Sequence, residues 1–170
     1  WVVMRNHEIH EGSPVDAALG FAGNRGGGVT RLVVDRARGT LRSSNFVLTG
    51  TSRNCAGGPS PYGWLSCEEV EEPGHGYVFL CQSSASKLQA PHRLPALGRF
   101  SHEAAAFDAK TGITYLTEDA SDSAIYRHVP NHTTQPFVGG ELQALKVSGK
   151  DRFTLAEGLK VGDTFDVEWV

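Results

Sequence analysis

Two short stretches of the sequence combine side chains that bind metal ions with glycines that allow tight backbone turns. Residues 50–58 carry Cys55, and residues 64–69 end on the adjacent pair Glu68 and Glu69. Thiolate and carboxylate groups are metal ligands, whereas a hydrophobic core gains nothing from burying them together. The glycines that follow Cys55 predict a loop at this position. We therefore expect a metal site built around Cys55.

Four more carboxylates are candidate ligands because they lie at or near the ends of predicted strands: Glu8, Glu103, Glu118 and Asp119. Glu103 is the strongest, since a carboxylate beside small apolar residues would be costly to bury without a partner. Glu8 is equally well read as a surface residue. Either Glu118 or Asp119 could instead cap a turn. Neighbouring residues of a strand face opposite sides, so we expect one ligand from the pair Glu68 and Glu69.

Other reactive residue types have simpler readings. Cys67 and Cys81 lie in apolar strand-like segments and are predicted to be buried thiols. Three cysteines without a CxxC pair argue against a disulfide framework. Arg53 and Arg99 are the candidate phosphate-binding residues, because a guanidinium can grip two oxygens at once. A structural ion pair is at least as good a reading for Arg99.

Composition excludes several classes of protein. The chain has 170 residues, a net charge of −3 and no lysine or arginine run, so a nucleic-acid or anionic-membrane partner is not expected. No apolar stretch approaches the roughly 18 residues of a membrane span. Both ends read as strands, and we expect a single partial domain, residues 1–170, of a longer protein. Isolated, such a piece is expected to aggregate through its strand edges.

Short strand-like runs separated by turn residues predict an all-β fold. The runs are residues 29–35, 45–51, 63–67, 76–81, 104–108, 113–118, 124–129 and 141–147, with further strands at the two ends. Residues 33–39 resemble residues 106–112, since each runs from an apolar strand end through Asp and three more residues to Gly. This repeated hairpin turn favours a β-propeller over a sandwich or barrel, with roughly two to three blades present. Residues 151–158 read as a helical turn or a loop.

Taken in order, eight segments resemble the PhoX-type bacterial alkaline phosphatases. They are residues 5–8 (RNHE), 27–32 (GGVTRL), 50–58 (GTSRNCAGG), 64–69 (WLSCEE), 75–79 (HGYVF), 97–104 (LGRFSHEA), 112–119 (GITYLTED) and 139–145 (GGELQAL). A single one of these motifs would be weak, but the ordered series covers most of the chain. Members of that family are several times longer than this chain.

The resemblance implies a propeller of about six blades and hydrolysis of phosphate monoesters at a centre of iron and calcium. It implies Cys55 as the thiolate ligand of iron, with the six carboxylates named above sharing the iron and calcium ions. It also implies export of the folded protein, hence a periplasmic or secreted location. A small phosphate ester is the expected partner, and a monomer the expected state.

Two other readings fit parts of the sequence. A calcium-dependent propeller hydrolase acting on lactones or phosphotriesters would need calcium alone, and a calcium-only site has no use for Cys55. A non-catalytic propeller scaffold would use the acidic residues to hold structural calcium. Propellers host many functions, so the fold does not choose among the three.

Overall fold

A computed structural model describes residues 1–154 and 158–170, and their regular structure is β-strand apart from one short 3₁₀ helix, Pro95–Leu97. This confirms the prediction of an all-β chain. The strands are β1 (Val2–His7), β2 (Gly27–Asp35), β3 (Thr40–Thr51), β4 (Asn54–Ser60), β5 (Gly63–Glu68), β6 (Val78–Cys81), β7 (His102–Phe107), β8 (Thr114–Glu118), β9 (Ile125–Pro130), β10 (Gly140–Val147) and β11 (Val167–Trp169).

The strands form three antiparallel sheets, each made of strands consecutive in the chain. The first sheet contains β1, β2 and β3, the second contains β4, β5 and β6, and the third runs in order from β7 to β11. No sheet closes on itself within the described residues. Three successive open sheets are compatible with propeller blades, while closure into a ring stays a prediction.

The second sheet lies between the other two and uses both of its faces. Leu65 and Cys67 belong to a core cluster that includes Ala105 and Leu116 of the third sheet. Phe79 belongs to the other cluster, with strands β2 and β3 of the first sheet. Side chains alternate along a strand, so β5 and β6 contribute to both cores.

All three cysteines are free thiols. Cys67 and Cys81 are buried, at 0% and 3% exposure, which confirms their predicted place in the core.

The repeated Asp-to-Gly turn is confirmed at both positions. Asp35 Oδ1 accepts hydrogen bonds from the backbone N–H groups of Ala37 and Arg38, at 2.9 and 3.1 Å. Asp108 Oδ1 accepts from Lys110 N at 2.9 Å in the matching turn. These bonds close tight turns between consecutive strands of a sheet.

One element was predicted wrongly: Cys55 lies in a strand, β4, and not in a loop. The glycines that suggested a loop are needed for close packing. A Cβ atom on Gly57 would lie 1.8 Å from the Leu65 carbonyl oxygen, and one on Gly58 would lie 1.8 Å from that of Ala105. Only glycine permits backbones to approach so closely on both sides of a strand.

The remaining prediction, a helical turn or loop over residues 151–158, falls partly outside the described residues. Residues 151–154 are not helical. No helix among the described residues has the length and apolar character needed to cross a membrane.

His102 makes the stability of the fold sensitive to acid. Its ring is fully buried, and this burial lowers the pKa of His102 to about 4. Between pH 6.5 and 4 the unfolded chain binds a proton at this residue that the folded chain does not, so stability falls as the pH falls through that window. The slope is up to about 1.4 kcal/mol per pH unit.

We expect His102→Gln to flatten this dependence between pH 6.5 and 5, above the range in which most carboxylates titrate. Chemical denaturation at several pH values measures it. His132→Gln, which changes an exposed histidine, is the matched control. Parallel curves for His102→Gln and the unchanged protein would contradict the prediction.

Candidate metal centre

Four carboxylates and one thiol, carried by all three sheets or by residues directly after their strands, converge at one place. Their ligand atoms form two overlapping groups, Glu8 with Cys55 and Glu69, and Glu69 with Glu103 and Asp119. Within each group these atoms lie within 4.8 Å of one another. Glu69 belongs to both groups and is therefore at the centre of the cluster. Cys55 and Glu103 are in contact, with 3.7 Å between Sγ and Oε1.

Two of the five residues lie in β-bulges. The pairing of β4 with β5 passes from Asn54–Glu68 to Gly57–Ser66, which places Cys55 in the irregular stretch. The pairing of β7 with β8 is also interrupted, between His102 and Ala105, and Glu103 lies there. A bulge bends the strand and changes the direction of a side chain, so both irregularities aim a ligand into the cluster.

The second and third sheets present their ligands in the same way. In the second sheet the bulge residue is Cys55, and Glu69 comes directly after β5. In the third sheet the bulge residue is Glu103, and Asp119 comes directly after β8. Each of these two sheets therefore delivers one ligand pair to the cluster, from a bulge in one strand and from the residue that follows the next strand.

Backbone hydrogen bonds tie the first sheet into this arrangement. Glu8 follows β1, and the next residue, Ile9, accepts a hydrogen bond from Arg53 N at 3.0 Å. Arg53 in turn accepts from Glu69 N at 3.0 Å. Arg53 has a left-handed backbone, with φ of 46°, which makes the corner between β3 and β4. This chain of contacts joins the backbones that carry Glu8, Cys55 and Glu69.

Glu68 lies outside the cluster and is already fully hydrogen-bonded. Oε1 accepts from Ser52 N at 2.8 Å and contacts His75 Nδ1 at 2.7 Å. Oε2 accepts from Gly76 N at 2.9 Å and Tyr77 N at 3.1 Å. The carboxylate has no exposed surface. Its hydrogen bonds join the segment around His75 to Ser52, at the corner before β4. Of the adjacent pair, Glu69 is therefore the residue that belongs to the cluster.

Glu118 is also directed elsewhere. Its Oε2 accepts hydrogen bonds from the Tyr126 hydroxyl at 3.0 Å and from Ala124 N at 3.1 Å. These bonds hold β8 to the start of β9. Asp119, the next residue, is the one that joins the cluster.

The cluster is electrostatically strained in a way that a cation would relieve. Burial, a hydrogen bond to Glu69 and the nearby charges of Glu103 and Glu8 raise the pKa of Cys55 to about 12. Burial and the neighbouring Asp119 also raise the pKa of Glu69. The charged neighbours that contribute to both shifts are acidic, so the ionised forms repel one another.

The donor set fits a mixed metal centre. Carboxylate oxygens suit hard cations such as calcium, and a thiolate suits a transition metal such as iron. Cys55 and Glu69 are half-buried while Glu8 and Asp119 are exposed, so one side of the cluster is open to solvent.

The two candidate phosphate-binding arginines differ in their contacts. Arg99 is exposed and donates through Nη1 to the carbonyl oxygens of Glu72 and His75, at 3.4 Å each. Arg53 is exposed, and within the part of the chain that the structure describes its guanidinium has no hydrogen bond or ion pair. Arg53 is therefore the freer of the two to bind an anion.

Sequence reasoning gave no role to Asn6 or to the pairing of His75 with Glu68. Asn6 donates through Nδ2 to Cys55 O at 3.1 Å and to Ala56 O at 2.6 Å. Both residues stand inside segments quoted for the family resemblance, RNHE and HGYVF. Their place in these segments was the one sign in the sequence that they matter. The residue types of Asn6 and His75 do not show which groups they contact.

Comparison with known proteins identifies a family for part of the chain. No curated protein and no solved structure matches the chain. The model of the family described as alkaline phosphatase PhoX matches residues 71–170, which is more than half of the chain. That match supports a metal-dependent hydrolase of the phosphatase kind. The chain therefore belongs to the PhoX alkaline phosphatase family.

Proposed function

We propose that this chain carries part of the metal centre of an exported phosphatase that hydrolyses phosphate monoesters. The observation that carries the proposal is the convergence of Cys55, Glu69, Glu103, Glu8 and Asp119 from three sheets. Iron and calcium are the proposed ions, with Cys55 among the ligands of iron. The three sheets are proposed to be successive blades of a propeller.

Hydrolysis of a phosphate monoester is very slow without a catalyst, and the main requirement is positive charge at the transferred group. Bound metal ions supply that charge and lower the pKa of bound water. The protein's part is to hold the five ligands at fixed positions and to bind the substrate. Arg53 is proposed to grip phosphate oxygens, and Arg99 to support binding at the rim.

The remaining expectations are proposals of the same kind. A small phosphate ester is the proposed substrate, a monomer the proposed state, and the periplasm or the exterior the proposed location. Fractionation of cells that make the protein tests the location, and phosphatase activity confined to the cytoplasm would contradict it.

Metal content tests the proposed chemistry directly. The intact natural protein, purified without chelator, is expected to contain both iron and calcium by elemental analysis and to hydrolyse p-nitrophenyl phosphate. Cys55→Ser is expected to lose iron, and its activity is expected to fall at least about a hundredfold, because a direct ligand of the iron is removed. Cys81→Ser, at a buried thiol in a core, is the control for general damage.

Other outcomes identify other functions. Calcium alone, with hydrolysis of a lactone or phosphotriester, would replace the proposal with the calcium-dependent hydrolase. Absence of bound metal together with absence of hydrolysis would leave only the scaffold.

A further inference from the structure

The side chain of Asn6 makes four hydrogen bonds beside the cluster. Its Nδ2 donates to the carbonyl oxygens of Cys55 and Ala56, as described above. Its Oδ1 accepts from Trp64 Nε1 at 2.9 Å and from Ser66 Oγ at 3.0 Å. Both donors and the acceptor of this carboxamide are used, so its position is fixed.

The two carbonyls that Asn6 binds belong to the bulge of β4. Pairing of β4 with β5 skips from Asn54 to Gly57, so Cys55 and Ala56 lie outside the regular ladder. Backbone carbonyls that leave a ladder in a half-buried place need other partners. Asn6 supplies both, reaching from the first sheet into the second. The bulge that contains Cys55 is thus held in place by hydrogen bonds from a side chain of another sheet.

Asn6 also stands two residues before Glu8, and β1 ends between them at His7. A displacement of Asn6 would move the backbone of Glu8 and release the bulge of Cys55 together. We infer that Asn6 is a positioning residue that sets the distance between the Glu8 carboxylate and the Cys55 thiol. This inference rests on the proposed metal centre for its purpose, but the bulge it describes exists without metal.

Alkylation of the metal-free protein tests the positioning without any metal. Cys55 is partly exposed while Cys67 and Cys81 are buried, so the three rates, read by mass spectrometry, report the bulge and the core separately. We expect Asn6→Leu to raise the iodoacetamide rate at Cys55 about tenfold and leave the other two unchanged.

Asn45→Leu is the matched control. Asn45 also bridges two backbone carbonyls, Phe46 O at 3.0 Å and Ala85 O at 3.3 Å, but it contacts none of the five ligands. We expect its Cys55 rate to match that of the unchanged protein. A Cys55 rate in Asn6→Leu that is no higher than in Asn45→Leu overturns the inference. An equal rise at all three cysteines also overturns it, because it shows general loosening.

Cobalt(II) titration reports the same position through thiolate-to-cobalt absorption. The unchanged protein is expected to show this band, and Asn6→Leu to bind cobalt 10–100-fold more weakly. Equal affinity in the two proteins would overturn the inference. A missing band in the unchanged protein would instead sink the proposed metal centre, and the alkylation rates would still decide the role of Asn6.

Discussion

Replacing Glu69 with glutamine is expected to remove metal binding while making the metal-free protein more stable. Glu69 is shared by both ligand groups, so its loss weakens every ion bound there, and phosphatase activity should fall on the order of a thousandfold. The same change relieves the crowding that raises the pKa of Glu69. The melting temperature of the metal-free protein should therefore rise, by a few degrees for each kcal/mol added to the free energy of unfolding.

Differential scanning calorimetry with and without chelator measures the stability, and elemental analysis measures the metal. Glu71→Gln is the matched control, because it removes one exposed carboxylate two residues away. It should leave metal content and melting temperature nearly unchanged. If Glu69→Gln keeps its full metal content, the central place of this residue in the cluster is refuted.

Replacing the neighbouring Glu68 is expected to have the opposite pattern, with a large loss of stability. Glu68 is fully buried and holds Ser52, His75, Gly76 and Tyr77. Glu68→Ala leaves those buried donors without partners, and breaking a buried network of this kind costs about 3–5 kcal/mol. The shift of the urea midpoint gives the change in unfolding free energy when the slope of that free energy against urea concentration is the same in both proteins.

Glu141→Ala, at an exposed carboxylate, is the control and should shift the midpoint very little. The two glutamates can then be compared directly. A Glu68→Ala protein that unfolds at the midpoint of the unchanged protein but lacks metal would make Glu68 a ligand, contrary to its hydrogen bonds.

The sequence predicted most of the strands because their signals are local. Alternating apolar residues and the Asp-to-Gly turns act over a few residues, and both turns formed as expected. Strand β4 was missed because its glycines are explained only by Leu65 and Ala105, whose backbones press against them from other strands. A contact with a distant segment leaves no trace in local propensity.

The candidate ligands could be named from the sequence, but the choice within each adjacent pair could not. The residue types of Glu68 and Glu69 are identical, and what separates them is the surroundings of each side chain. Glu68, at the end of β5, contacts backbone N–H groups, whereas Glu69, directly after β5, lies among other acids. The bulges at Cys55 and Glu103 likewise depend on strand pairing, which residue types alone do not specify.

The arrangement of ligands on three separate sheets has a consequence for how the chain holds together. Cys55 and Glu103 are 48 residues apart in the chain, and an ion bound to both would close a long loop, as a disulfide does. Such a closure restricts the unfolded ensemble and favours the folded one by an amount that grows slowly with loop length. The metal would then serve as a reversible cross-link between sheets, so that loading with metal and locking of the tertiary structure become the same event.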